Sequence, residues 1–154
     1  MTPRESYSDR MTFLLQGGDA VRQATEGTRA FADGRNLTAD ELARLCIVIE
    51  ELVVNLYDHG GLTKEDQVEL ILAGEPGAIR VTIVDPGVPF DPRSAPMEQD
   101  NAERGGGAGI GIVRTWARIV EYDVTDAGNR LELLVPLGLL GGPAAGQPPL
   151  SRRR

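Results

Sequence analysis

The chain has one cysteine and one histidine in 154 residues. A single Cys46 cannot form an internal disulfide, and one histidine leaves little material for a zinc site. Cys46 sits between Leu45 and Ile47 and reads as a small buried hydrophobe rather than a nucleophile. Positive charge is also scarce: 16 Lys and Arg stand against 23 Asp and Glu, a formal net charge of -7. That balance disfavours non-specific contact with nucleic acid, whose phosphates need a positive surface. The terminal Arg152, Arg153 and Arg154 read as solvated charge on an open end. No run of eighteen apolar residues exists to cross a bilayer. The first ten residues carry charges where a signal peptide needs an apolar centre. What remains is a cytoplasmic enzyme or binding module of one domain, long enough to bury a core without disulfides or metal staples.

The pattern along the chain alternates short apolar runs with capped helices. Residues 11–15 predict a first strand ending at Gly17-Gly18. Asp19 can cap a following helix with Val21, Ala24, Thr28 and Phe31 at helical spacing, stopped by Gly34. Thr38 and Glu41 form a capping-box pattern that opens a long helix ending at His59 before Gly60-Gly61. Residues 67–73 alternate, with Val68, Leu70 and Leu72 inward, and predict a strand that turns at 74–77 and returns over 79–84. Residues 85–107 have no regular period and are broken by Pro86, Pro89, Pro92 and Pro96; so long an irregular stretch inside a domain points to function or mobility. A helix over 110–120 is expected next, then a hairpin of 122–125 and 131–135 about a turn at 127–129. Three helices and five strands predict an α+β two-layer sandwich, with helices on one face of the sheet. The expected folded domain is 11–138, with flexible tails at 1–10 and 139–154.

Three segments carry chemistry. On the long helix, Glu51, Asn55 and His59 stand at i, i+4 and i+8 and share one stripe, with Asp58 beside it. Such a stripe is either a solvent-facing strip or a functional one. An Asn oxygen near a carboxylate suits Mg²⁺, which prefers oxygen ligands and keeps waters for substrate phosphates to replace. Glu51, one turn away, could deprotonate an attacking hydroxyl. Glu50 points about 100° away and is left to structure or solvent. The second segment is Asp85-Pro86-Gly87, a carboxylate held at a strand end by proline, where Gly87 would admit a flat ring. It is either a proline-rich turn or an acceptor for an exocyclic amine such as adenine N6. The third is Gly107-Ala108-Gly109-Ile110-Gly111, preceded by Arg104. Glycines free backbone amides to face an anion, and the helix beyond adds its positive end. The alternative is a flexible hinge. Arg104 either reaches a terminal phosphate or is solvated.

In this order the three segments resemble the boxes of the GHKL ATPase superfamily, and within it the small anti-sigma regulatory factors with serine/threonine-protein kinase activity. The likeness covers about 12–137. Glu51-Leu-Val-Val-Asn55 resembles the N box, 85–92 the G1 box, and 107–111 the G2 box. The resemblance implies the Bergerat ATP-binding fold, a sandwich with a mixed, mostly antiparallel sheet. It implies ATP and Mg²⁺ as cofactors, with Asn55 as metal ligand, Glu51 as general base and Asp85 on the adenine amine. Gly87 would lie by the base; Gly107, Gly109, Ile110 and Gly111 would line the phosphates, with Arg104, under a lid drawn from 93–106. It further implies an anti-anti-sigma partner of the STAS fold, phosphorylated on serine, a sigma factor sequestered in turn, and a homodimer. His59 reads as a helix-ending or site-edge residue, not a phospho-acceptor.

Three functions follow. One is an ATP:protein-serine phosphotransferase acting as a switch. Another is a non-catalytic module that binds nucleotide and sequesters a partner. The third, an ATP-hydrolysing clamp, needs a second domain with a phosphate-reaching lysine and is not expected, nor is the dimerising hairpin of histidine kinases.

Overall fold

The computed structural model describes residues 9–94 and 107–138. Strand β1 (Arg10–Gln16) leads through a single 3-10 turn (Gly17–Asp19) into helix α1 (Ala20–Ala32) and then α2 (Ala39–His59). Strands β2 (Gln67–Glu75) and β3 (Ala78–Asp85) follow as a hairpin, then helix α3 (Gly107–Trp116) and the hairpin β4 (Arg118–Thr125) and β5 (Gly128–Pro136).

Local chemistry accounts for most of these limits. The capping box forms: Thr38 Oγ1 accepts from the Glu41 amide at 3.0 Å, and Glu41 Oε1 accepts from the Thr38 amide at 2.9 Å. Two of the four amides that a helix start leaves open are thereby satisfied. At the other end the Gly60 amide donates to Leu56 O at 2.8 Å. Asp19 does not cap α1 with its side chain; it pairs instead with Arg22 at 3.3 Å, because the 3-10 turn already carries the chain into the helix. The β2–β3 hairpin is tighter than the expected turn at 74–77. Glu75 and Ala78 still pair, and only Pro76-Gly77 turn, with Gly77 at φ 74, a region open to glycine.

The helix expected over 110–120 is shifted. It begins at Gly107 and stops at Trp116, and residues 118–120 belong to β4. Ile119 and Val120 are β-branched, and Ile119 pairs with Leu133 across the hairpin, which outweighs a helical continuation. Gly128 and Asn129, expected in the turn, open β5.

The sheet order is β1-β2-β3-β5-β4. All four neighbouring pairs are antiparallel. β4 runs in the same direction as β3, but β5 lies between them, so no parallel pair forms among the described residues. On one face Leu15, Leu70, Leu72, Val81, Ile83 and Leu133 meet Phe31, Leu45, Ile49, Val53 and Val113 of the helices. Each such side chain contributes about 1.5–3 kcal/mol on burial. Cys46 is buried on α2, and burial pushes its thiol above the ordinary range. Among the described residues no helix is long and apolar enough to cross a membrane.

Candidate functional site

Helix α2 lies along the inner face of the sheet beside α3, so its last two turns stand over the end of β3. There Asn55 and Asp85, thirty positions apart in sequence, line one cleft with Leu52, Leu56, Ile83, Phe90, Pro92, Tyr122 and Leu131. The walls are apolar and aromatic, and the polar groups are few, which is the composition of a site for a flat heterocycle. The cleft is narrow, with a volume of about 30 Å³, room for about two waters. Phe90, on one wall, is 39% exposed and sits on irregular chain.

Asp85 is 6% exposed, and its two oxygens differ. Oδ1 accepts from the Gly87 amide at 2.7 Å and from Asn129 Nδ2 at 3.1 Å. Oδ2 has no partner among the described residues. A buried carboxylate held by one oxygen offers the other as an oriented acceptor, which fits an exocyclic amine. Asn129 also donates to Gly87 O at 2.9 Å, closing a three-membered clamp around the strand end. Asn129 can do this because β3 and β5 pair Asp85 directly with it.

Close packing also requires a glycine at position 87. A Cβ there would fall 2.5 Å from Gly60 O, and the Val88 amide donates to that same carbonyl at 2.9 Å. The glycine lets the strand end dock on the C-terminus of α2, which fixes Asp85 relative to Asn55. Downstream, Tyr122 accepts from the Phe90 amide at 2.8 Å and pins the loop. Burial, first, holds the Tyr122 hydroxyl above the ordinary phenol range. Asp91 accepts from Arg93 Nη2 at 2.8 Å and from the Arg93 amide at 2.9 Å, and the guanidinium holds this carboxyl below the usual range.

Glu51 is half-buried one turn before Asn55 and does not line the cleft. Asp58 and His59 are exposed and Glu50 is half-buried. The glycines of 107–111 lie inside the first turns of α3, not in a loop before it. The amides of Gly107, Ala108 and Gly109 are therefore among those that a helix start leaves without an internal acceptor. Ile110 is 6% exposed. Arg104 and most of the expected lid, 95–106, lie outside the described residues, as do the tails at 1–8 and 139–154.

The donor set fits a magnesium-bound nucleotide in one respect that the structure itself supplies. Asn55 has no hydrogen-bond partner among the described residues, and no cluster of three or more His, Cys, Asp or Glu competes as a metal cage there. A single amide oxygen leaves the remaining positions to water and phosphate, as Mg²⁺ prefers. Sequence reasoning missed Asn129, Tyr122 and Phe90. Only the register of β3 against β5 could have flagged Asn129, and that register is not legible locally.

A family model described as histidine kinase-like ATPase domain matches residues 18–135. Among solved structures, the chain is similar to the RsbU and RsbW domains of a Mycobacterium tuberculosis protein, with a TM-score of 0.53 and 21% identity. That likeness covers 83% of this chain and 32% of the other. It is also similar to the histidine kinase domain of a blue-light activated histidine kinase from Erythrobacter litoralis, with a TM-score of 0.47 and 19% identity over 76% of this chain and 60% of that one. The chain thus spans less than two thirds of either structure. No curated protein shows significant similarity to it. The first likeness bears on the fold, a five-stranded antiparallel sheet with helices on one face, which is the Bergerat arrangement. With the match running from the 3-10 turn after β1 almost to the end of β5, the chain belongs to the family of histidine kinase-like ATPase domains, within the GHKL superfamily.

Proposed function

We propose that this chain is an ATP-binding protein-serine/threonine kinase of the anti-sigma factor type, a cytoplasmic domain spanning 11–138. Its substrate would be an anti-anti-sigma partner of the STAS fold, and it would hold a sigma factor when not so engaged. The observation that carries the reading is the meeting of Asn55 and Asp85 in one cleft, with Glu51 a turn away and the α3 amides on the neighbouring helix. The similarity to a structure containing an RsbW domain supports the anti-sigma assignment.

In this reading Asp85 Oδ2 accepts from the adenine amine, and the Asn129 clamp prevents the carboxylate from rotating away. Asn55 would hold Mg²⁺ through its amide oxygen. ATP supplies the phosphoryl group and Mg²⁺ neutralises its charge. The α3 amides and the helix dipole hold the phosphate oxygens, and Glu51 takes the proton of the incoming serine hydroxyl. Most of the rate would come from positioning and electrostatics.

The rival reading is a nucleotide-binding module that sequesters its partner without transferring phosphate. It draws on Glu51 lying outside the cleft lining. Glu51→Gln separates the two. Unchanged ATP binding by calorimetry with transfer to the partner abolished supports the kinase; wild-type binding with no transfer to the true partner supports the module.

A further inference from the structure

The sheet face turned away from the helices carries a cationic groove that the nucleotide reading does not use. Strand alternation sends Arg10, Ala73, Arg80, Thr82, Arg130 and Glu132 to this face, and all six line a cavity of about 310 Å³. The register explains the shape. Arg10 pairs with Ala73, and Ala73 pairs with Arg80, so the two arginines flank an alanine on the strand between. Their Cα atoms lie about 10 Å apart, two strand spacings, with a methyl group as the floor. Arg130, on the far side of β3, faces the same hollow.

Among the described residues, two of the three arginines are held by carboxylates and the third is not. Glu132 Oε1 pairs with Arg80 at 3.5 Å and its Oε2 with Arg130 at 3.4 Å; Arg80 also binds Glu75. Arg10 has no ion pair among the described residues. Of the groove's charged lining residues three are arginines and one, Glu132, is acidic, while Glu121 and Asp123 stand beside Glu132 and Arg130 on the neighbouring strand.

Thr82 is the second observation. It lies on the central strand and is 3% exposed, yet its hydroxyl has no hydrogen-bond partner among the described residues. A buried hydroxyl left unpaired is costly, and it lines this groove.

We propose that the groove is a binding site for a small oxyanion, a phosphate or carboxylate group. Thr82 Oγ1 would donate to one oxygen, and the Arg10 and Arg130 guanidiniums would take the others. Arg80 would be oriented by Glu75 and Glu132 rather than neutralised by them. This site is separate from the nucleotide cleft, which opens on the helix side of the sheet, and it does not rest on the kinase reading.

The test is a methyl NMR titration of the full chain with sodium phosphate, compared with sodium chloride at equal ionic strength. The expected result is saturable shifts of the Thr82, Ile71 and Ala73 methyl groups with phosphate only. Thr82→Val should weaken this binding about five- to tenfold, and Arg10→Gln or Arg130→Gln about tenfold. In phosphate-free buffer Thr82→Val should melt no lower than wild type, because the removed hydroxyl had no partner. Asp85→Asn, which disables the nucleotide cleft, should leave the titration unchanged. Equal shifts with chloride, an unaltered titration in Thr82→Val, or loss of the effect in Asp85→Asn would each overturn the proposal. So would a dimer seen in sedimentation that Arg10→Gln dissociates and phosphate does not. That result would assign the groove to an acidic side chain of a second copy.

Discussion

Asn129 Nδ2 stands 3.1 Å from Asp85 Oδ1 and 2.9 Å from Gly87 O, so one side chain from the last hairpin holds both ends of the Asp85 turn. Asn129 is itself 4% exposed. Asn129→Ala removes the donor and leaves buried acceptors behind, which should cost about 1–3 kcal/mol in urea denaturation. ATP affinity should fall with it, because Asp85 loses one of the two groups that fix its orientation. Asn129→Asp should be worse on both counts, since it sets a second carboxylate against the first.

Asp85 also makes a prediction about base identity. In Asp85→Asn the carboxamide oxygen can keep the bonds from Gly87 and Asn129, so the fold should survive with little change in Tm. The amide NH₂ then occupies the position of Oδ2 and faces the adenine amine, donor against donor. ATP should bind about tenfold or more weakly, whereas ITP, which carries an acceptor at that place, should bind relatively better than it does to wild type. Calorimetry with both nucleotides checks this. A loss equal for ATP and ITP would remove Asp85 from base recognition.

These residues show how far the sequence could be read. The capping box of Thr38 and Glu41, the apolar arc of α2 and the alternation of Val68, Leu70 and Leu72 are local patterns, and each appears where spacing alone put it. Asn55, on a polar stripe of an apolar helix, and Asp85, a carboxylate at a proline-locked strand end, were legible as candidates, and the structure brings both into one cleft. The failures are non-local. Residues 117–120 are apolar enough for helix or strand, and only pairing with β5 decides between them, with a bulge between Ile119 and Glu121 that no local pattern announces. Asn129 looked like a turn residue because its partner lies 44 positions away. At Gly87 a side chain would meet the Gly60 carbonyl, a contact that no local pattern announces.

That contact predicts the outcome of Gly87→Ala. The added methyl would meet the Gly60 carbonyl oxygen at 2.5 Å and Leu62 Cδ2 at 3.1 Å. Backbone cannot yield as a flexible side chain does, so the turn and the end of α2 must separate. The expected loss is about 1–3 kcal/mol of stability, together with weaker ATP binding. Gly18→Ala is the control. Nothing lies within 4 Å of its Cβ position, and it should stay within about 0.5 kcal/mol of wild type.

Glu41 ties the start of α2 to the residues just after β5 and gives stability a defined pH dependence. Its Oε1 accepts from the Thr38 amide at 2.9 Å and its Oε2 from the Gly138 amide at 2.7 Å. The Thr38 backbone bond, first, and then the Gly138 bond hold its carboxyl below the ordinary value of 4.5, against the opposing effect of burial. The ionised form is thus favoured in the folded chain, which binds the proton less readily than the unfolded chain does. Stability from this group is fully present above about pH 4.5 and is lost as pH falls through the lower folded value. Glu41→Gln keeps an acceptor for the Thr38 amide but cannot ionise, so its stability should fall less between pH 6 and pH 3 than that of wild type. Glu41→Ala should lose about 1 kcal/mol or more at pH 7, as the helix cap and the Gly138 tether go together. Urea titrations of the three proteins across that range measure both effects. A wild-type curve that keeps its full margin over Glu41→Ala at pH 3 would exclude Glu41 as the source.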